Sequence, residues 1–242
     1  MNAPTSLSLA LLLASLSVAC APAAEEAVAG DDELRTDAEA GGGEAGAGKV
    51  GGGEAGSDAG AEASSRPDAG GFVDPRDGQS YPTITRGAKT WLARNLNFAI
   101  VGSSFCYGDA SSNCDKDGRL YLWSVARTAC PAGWHLGSDE DWKSLEVAVG
   151  MSSNQLDLEG YDTVRGTSEG TTLKATNGFA AHMAGFRTGT TYEALGDRTY
   201  FWTSTTRGAE VWRRRVAAAE PTIFRFTNPP ATFAISVRCA MN

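Results

Sequence analysis

Thirteen residues, Cys130-Pro131-Ala132-Gly133-Trp134-His135-Leu136-Gly137-Ser138-Asp139-Glu140-Asp141-Trp142, constrain this chain more than any others. Pro131 disfavours helix at the residue before it, so a helix reaching Cys130 stops there. Trp134 to Leu136 then reads as a short strand. Ser138 suits a helix N-cap, with Asp141 three residues on as in a capping box, and the acids of the first turn complement the helix dipole. Trp142, Leu145, Ala148 and Val149 recur on one helical face, and Gly150 suits the C-terminal end. A cysteine, a strand and a capped helix this close together point to a small mixed domain.

That domain must lie in the later part of the chain. Residues 21–80 hold fourteen of the 29 acids but four of the 21 basic residues, a net −10, whereas residues 81–242 carry 17 basic and 15 acidic residues, a net +2. From Ala21 to Gly71 the only branched aliphatics are Val28, Leu34 and Val50. Such a segment buries too little apolar surface to offset the entropy of ordering, so residues 20–72 are expected to be a disordered tether, with order beginning near Phe72. Fifty such residues reach roughly 40 Å as a flexible chain. The acidic balance belongs to this tract, and no basic stripe interleaved with aromatics follows it, so nucleic acid is not an expected partner.

Ahead of the tract, the uncharged run Leu7 to Val18 is too short to span a bilayer and suits the apolar region of a secretory signal, expected over residues 1–19. Ser17-Val18-Ala19-Cys20 resembles the lipobox of bacterial lipoproteins, in which the signal is cut before the cysteine and the cysteine receives lipid. The resemblance implies Cys20 as the lipid attachment and a place at the bacterial outer membrane or cell surface, with simple secretion as the alternative.

Along the rest of the chain, Asp74-Pro75-Arg76-Asp77-Gly78 is a turn, and Tyr81–Thr85 with Lys89–Leu92 reads as a hairpin around Gly87-Ala88. A polar loop around Cys106 and Cys114 leads to an expected helix from Arg119 to Ala129, whose Leu122, Val125, Ala126 and Ala129 recur at helical spacing. Beyond Met151 come polar loops and short islands expected to be strands. These are Leu173-Lys174, Gly178–Ala181, Ala184–Arg187, Tyr200–Ser204, Val211–Val216, Ile223–Phe226 and Phe233–Cys239. Two helices with short antiparallel strands and long loops make an α+β domain.

Of five cysteines, setting Cys20 aside leaves four, an even number in an exported protein, and two disulfides are expected. Three pairings are open. The preferred one joins Cys106 to Cys114 as a small staple and Cys130 to Cys239 as a long clamp, which contributes more because it closes the longer loop. With no C-x-x-C pair and only two histidines, a metal site is not expected.

Gly118-Arg119-Leu120-Tyr121-Leu122-Trp123, the Cys130–Leu136 run, Asp141-Trp142, Gly178-Phe179, Gly185-Phe186-Arg187, Phe201-Trp202-Thr203-Ser204 and Ser236-Val237-Arg238-Cys239 resemble the Fibrobacter succinogenes major paralogous domain. So do Asp74–Gly78 and Thr90–Leu96, and the resemblance spans residues 73–242. Gly137 departs from the family's usual proline, and Ala181-His182-Met183 from its usual Leu-Pro pair. The order of elements is also similar to the C-type lectin-like fold, in which a disulfide clamps the first helix to the last strand. That resemblance implies extracellular display and ligand binding. Formylglycine-generating enzymes share this broad fold and use reactive cysteines, but a Cys130–Cys239 bridge leaves none in the core. No catalytic residue, cofactor or metal is therefore expected.

A calcium-dependent sugar site wants a Glu-Pro-Asn loop and a Trp-Asn-Asp strand, which Glu220-Pro221-Thr222 and Trp202-Thr203-Ser204 do not supply. Asp109, Asp115 and Asp117 could gather oxygens for a cation, but read more simply as a solvated turn. His135 could act as a base beside Asp139 or Glu140, yet reads as a packed residue, and His182 as a loop residue. The six tryptophans read mainly as core, an exposed one being able to stack on a sugar. Arg213-Arg214-Arg215 reads as a charged, solvated sheet edge, or functionally as a contact for anionic polysaccharide or lipid headgroups through Arg213 and Arg215. The leading expectation is a monomeric, non-enzymatic, surface-tethered lipoprotein that meets the membrane through lipid on Cys20 and binds extracellular carbohydrate or protein. A structural envelope protein is the alternative, and an oxidoreductase using core cysteines a remote one.

Overall fold

Val237 and Arg238 carry the chain out of one sheet and into another, and the domain is built around that crossing. The computed structural model describes residues 68–241. The signal-like run, Cys20 and the tether as far as residue 67 lie outside the described residues. The strands are β1 (Asp68–Val73), β2 (Ser80–Arg86), β3 (Lys89–Leu92), β4 (Ser104–Phe105), β5 (Leu120–Leu122), β6 (Trp134–Leu136) and β7 (Ala184–Thr188). They continue as β8 (Thr191–Leu195), β9 (Arg198–Arg207), β10 (Glu210–Ala217), β11 (Phe224–Asn228), β12 (Phe233–Ser236) and β13 (Cys239–Met241). The α-helices are α1 (Ser111–Asp117), α2 (Trp123–Ala129), α3 (Asp139–Ala148) and α4 (Glu169–Lys174).

The architecture is α+β and mostly sheet. The smaller sheet runs β1-β2-β3-β13-β6, and the larger β11-β10-β9-β7-β12-β5-β4, with β8 paired to β7. Cys130, just after α2, bonds to Cys239 at the start of β13 across 109 residues of sequence. Cys106 bonds to Cys114 in α1, across 8 residues. Arg238, fully buried at the crossing, donates to the carbonyls of Leu92 (3.0 Å), Phe179 and Ala180 (3.2 Å) and to Asn95 Oδ1 (2.7 Å). The guanidinium thus joins three segments far apart in sequence.

Several elements differ from those read in the sequence. The helix expected from Arg119 starts at Trp123, because Leu120–Leu122 is held as a strand between β4 and β12, with Tyr121 opposite Ile235. Helices α1 and α4 are additional to the two expected. Leu173-Lys174 is the end of α4, and Gly178–Ala181 is a turn that delivers Phe179 into an aromatic cluster with Trp91, Trp142 and Phe201. The run Phe233–Cys239 is split into β12 and β13, and β8 and the strand over Asp68–Val73 lie where loop and tether were expected. Gly137 sits so close to the Trp91 ring that a Cβ there would come within 2.8 Å of it, so this position has no room for a larger residue.

Helix α3 begins as a complete capping box: Asp141 N donates to Ser138 Oγ at 3.1 Å, and Ser138 N donates to Asp141 Oδ2 at 2.9 Å. Its first residue, Asp139, accepts from Arg214 Nη1 (2.7 Å) on β10 and from Arg225 Nη2 (2.7 Å) on β11, and Glu146 accepts from Arg214 Nε (2.6 Å) and from Arg165. These ions are buried, and the network binds the helix to the larger sheet. Burial opposes ionisation of Asp139, but Arg225 and Arg214 outweigh it and hold the carboxyl well below its usual range.

Because the folded value is depressed, Asp139 contributes its full stabilisation above the unfolded value of about 4 and loses it as pH falls below that. Asp139→Asn should cost about 3–5 kcal/mol at neutral pH, since it leaves the buried Arg225 without a carboxylate and Arg214 with Glu146 alone. Urea midpoints should show the wild type losing more stability than the variant between about pH 5 and pH 2. In the loop-entropy account, the longer disulfide contributes about 4.7 kcal/mol and the shorter about 2.5. Cys130→Ala/Cys239→Ala should accordingly lower the urea midpoint more than Cys106→Ala/Cys114→Ala.

Candidate functional site

Strand alternation sends the three arginines of β10 to opposite faces of a sheet buried on both. Arg214 enters the ion network under α3. Arg213 and Arg215 point to the other face, where Arg213 lies opposite Trp202 on β9 and Phe226 on β11, and Arg215 opposite Tyr200 and Phe224. The expected solvated edge is therefore absent. β10 lies between β9 and β11, and the exposures of Arg213, Arg214 and Arg215 are 2%, 0% and 7%.

The two faces treat their cations differently. Arg214 has two carboxylate partners, whereas among the described residues neither Arg213 nor Arg215 forms an ion pair. The Arg213 guanidinium lies 4.3 Å from the centre of the Trp202 ring and 4.6 Å from that of Phe233, and its Nη2 donates to Pro229 O at 2.8 Å. Its Nε has no hydrogen-bond partner. Arg215 stacks on Phe224 at 3.8 Å and on Tyr161 at 4.4 Å. Burial pulls Arg213 down to about 10, which leaves it a cation at neutral pH.

Arg213 lines a cavity of about 150 Å³ whose walls include the rings of Phe186, Tyr200, Phe226 and Phe233. Tyr161 and Asn228 add polar groups to the lining. Tyr161, Phe226 and Asn228 also line a second, open hollow of about 250 Å³ that includes Glu159, Arg207 and Thr227. The hydroxyls of Tyr161 and Tyr200 are hydrogen-bonded at 2.9 Å. Burial works against ionising Tyr161, but Tyr200, Arg215 and Arg198 outweigh it and set its phenol below the usual value, while burial and Tyr161 push Tyr200 up to about 12. Tyr161 is 43% exposed, so it stands between the cavity and solvent. An apolar pocket with a few polar groups and an unpaired cation has the composition of a ligand site.

The remaining candidates are placed elsewhere. His135 Nε2 lies 3.0 Å from Asp141 Oδ2, beside the N-cap of α3, and so belongs to the capping assembly. Asp117 is buried against His182 Nδ1 at 3.2 Å, which overturns its reading as part of a solvated turn. Asp109 accepts from the Tyr192 hydroxyl at 2.5 Å. All six tryptophans are buried or half-buried, so none is an exposed platform. Cys106, Cys114, Cys130 and Cys239 are all in disulfides. The site residues missed in the sequence are Tyr161, Phe186, Phe226, Asn228 and Phe233. Phe226 alternates with Phe224 on its own strand, and only the cross-strand register, which sets Phe226 opposite Arg213 and Phe224 opposite Arg215, shows that it shares their face.

The model for the Fibrobacter succinogenes major domain matches residues 84–240, and the chain belongs to that family. No curated protein and no solved structure matches it.

The contrast between faces can be measured as stability. Arg214→Met should cost about 3–5 kcal/mol by leaving Asp139 and Glu146 buried and short of a partner. Arg213→Met keeps the apolar stem and strands no carboxylate, so it should change stability by only about 1 kcal/mol. Equal losses in urea unfolding would contradict the assignment of Arg213 to a site rather than to the framework.

Proposed function

We propose that this protein is a lipid-anchored binding protein of the bacterial envelope, its domain C-type lectin-like in fold and non-enzymatic in action. The observation that carries the reading is the Arg213 cavity, an aromatic pocket whose cation has no ion-pair partner among the described residues. The helix-to-last-strand clamp by Cys130–Cys239 supports the fold assignment, because it recurs in the fold this chain resembles. Oxidised core cysteines argue against chemistry through a free thiolate, which is the nucleophile such an enzyme needs. The lipobox-like Ser17–Cys20 and the acidic tract after it support a tether that holds the domain away from the outer membrane or cell surface.

The partner on this reading is extracellular carbohydrate, with protein as the alternative. Cells fed an alkyne-bearing fatty acid should label the wild-type chain in the membrane fraction, and Cys20→Ser should abolish the label. The purified wild-type chain should then retain specific glycans on an array. A cytoplasmic chain without label, or an array without a retained glycan, would overturn the respective halves of the proposal.

A further inference from the structure

We infer that the Arg213 cavity takes a six-membered sugar ring bearing a carboxylate, the terminal uronic-acid unit of an acidic glycan. The inference rests on the binding-module reading above and names the ligand chemistry of the same site. Size comes first. A cavity of about 150 Å³ by itself holds a benzene-sized group, so a pyranose with its hydroxyls and carboxylate extends from it into the adjoining open hollow of about 250 Å³. The second hollow, which shares Tyr161, Phe226 and Asn228, gives the rest of a glycan a way out.

Charge comes second. A buried cation without a counter-ion is unfavourable, and on this strand the contrast is internal: Arg214 is matched by Asp139 and Glu146, while Arg213 and Arg215 touch aromatic faces and carbonyl or hydroxyl oxygens, with Glu210 acting on Arg213 through space but forming no ion pair with it. The Nε of Arg213 has no hydrogen-bond partner, as is true also of Arg187, Arg215 and Arg238, but of these four only Arg213 lines this cavity. A carboxylate supplies the missing charge and the acceptor together, as a charge-assisted hydrogen bond. The walls come third. Four aromatic rings suit the C–H faces of a pyranose, and the Tyr161 and Tyr200 hydroxyls and the Asn228 amide can bond ring hydroxyls. A small oxyanion such as phosphate would leave those rings unused.

The test is calorimetric titration of the full chain with glucuronate, galacturonate, glucose and benzoate. At least one uronate should bind, with glucose and benzoate at least about tenfold weaker, and added salt should weaken the uronate but leave any binding of neutral glucose unchanged. Arg213→Met should weaken the uronate by about tenfold or more, and Arg213→Lys by less. Tyr161→Ala, at a half-exposed loop position, should also weaken it and provides a second variant should Arg213→Met fail to fold by circular dichroism. Glucose bound as tightly as the uronates would overturn the acidic-ligand inference and leave the binding-module reading standing. Benzoate bound without either uronate would overturn the sugar, and undiminished uronate binding by a folded Arg213→Met or Tyr161→Ala would overturn the site. No binding of any probe by a chain that still retains array glycans would place the site elsewhere, whereas failure on the array as well would remove the reading on which the inference rests.

Discussion

Three consecutive arginines in a strand buried on both faces set the terms for the larger sheet. Alternation forces Arg214 one way and Arg213 and Arg215 the other, so each face must accommodate positive charge where a core would ordinarily be apolar. On the Arg214 face the solution is a set of carboxylates placed by α3. Asp139 meets both Arg214 and Arg225, Glu146 meets Arg214 and Arg165, and the capping box at Ser138 fixes where the helix begins. The opposite face has aromatic rings and a cavity in place of acids. β10 thus sets a cation paired with carboxylates, Arg214, between two that form no ion pair among the described residues, Arg213 and Arg215.

The rest of the fold holds this strand in register. The Cys130–Cys239 bond joins the end of α2 to the start of β13, and Arg238 beside it gathers carbonyls from Leu92, Phe179 and Ala180. Burial pushes Arg238 down to about 9, with Arg94 adding to the effect. Its hydrogen bonds go to neutral oxygens that are themselves buried at a crossing between sheets, and this gives it a framework role. Arg213, whose Nε like that of Arg238 has no hydrogen-bond partner, differs in that it lines a cavity.

Local signals in the sequence carried the elements whose logic is local. The Ser138–Asp141 capping box, the Ser80–Leu92 hairpin and the short strand after Pro131 all rest on interactions within a few residues. What the sequence could not show depends on partners distant along the chain. Leu120–Leu122 has the spacing of a helix start and becomes a strand because Ala234–Ser236 pairs with it. Arg213-Arg214-Arg215 has the composition of a solvated edge and becomes a central strand because β11 covers that side. The cavity itself combines Tyr161 from a loop, Phe186 from β7, Phe226 from β11 and Phe233 from the loop-to-strand boundary at β12, a convergence set by register. Arg213 in its lining is legible in the sequence as part of a run of like charge, but the aromatic walls around it are not.

On the proposed reading Arg213 is the cation of a ligand site, while Arg214 is paired within the framework. Side-chain ¹H–¹⁵N spectra resolve the arginine Nε–H groups, and titration with glucuronate reads both residues in one sample. The Arg213 Nε–H resonance should shift and its exchange with solvent should slow as the acid is added, while that of Arg214 stays in place. An Arg213 resonance that does not move while glucuronate binds, or one that moves only together with Arg214, would contradict it.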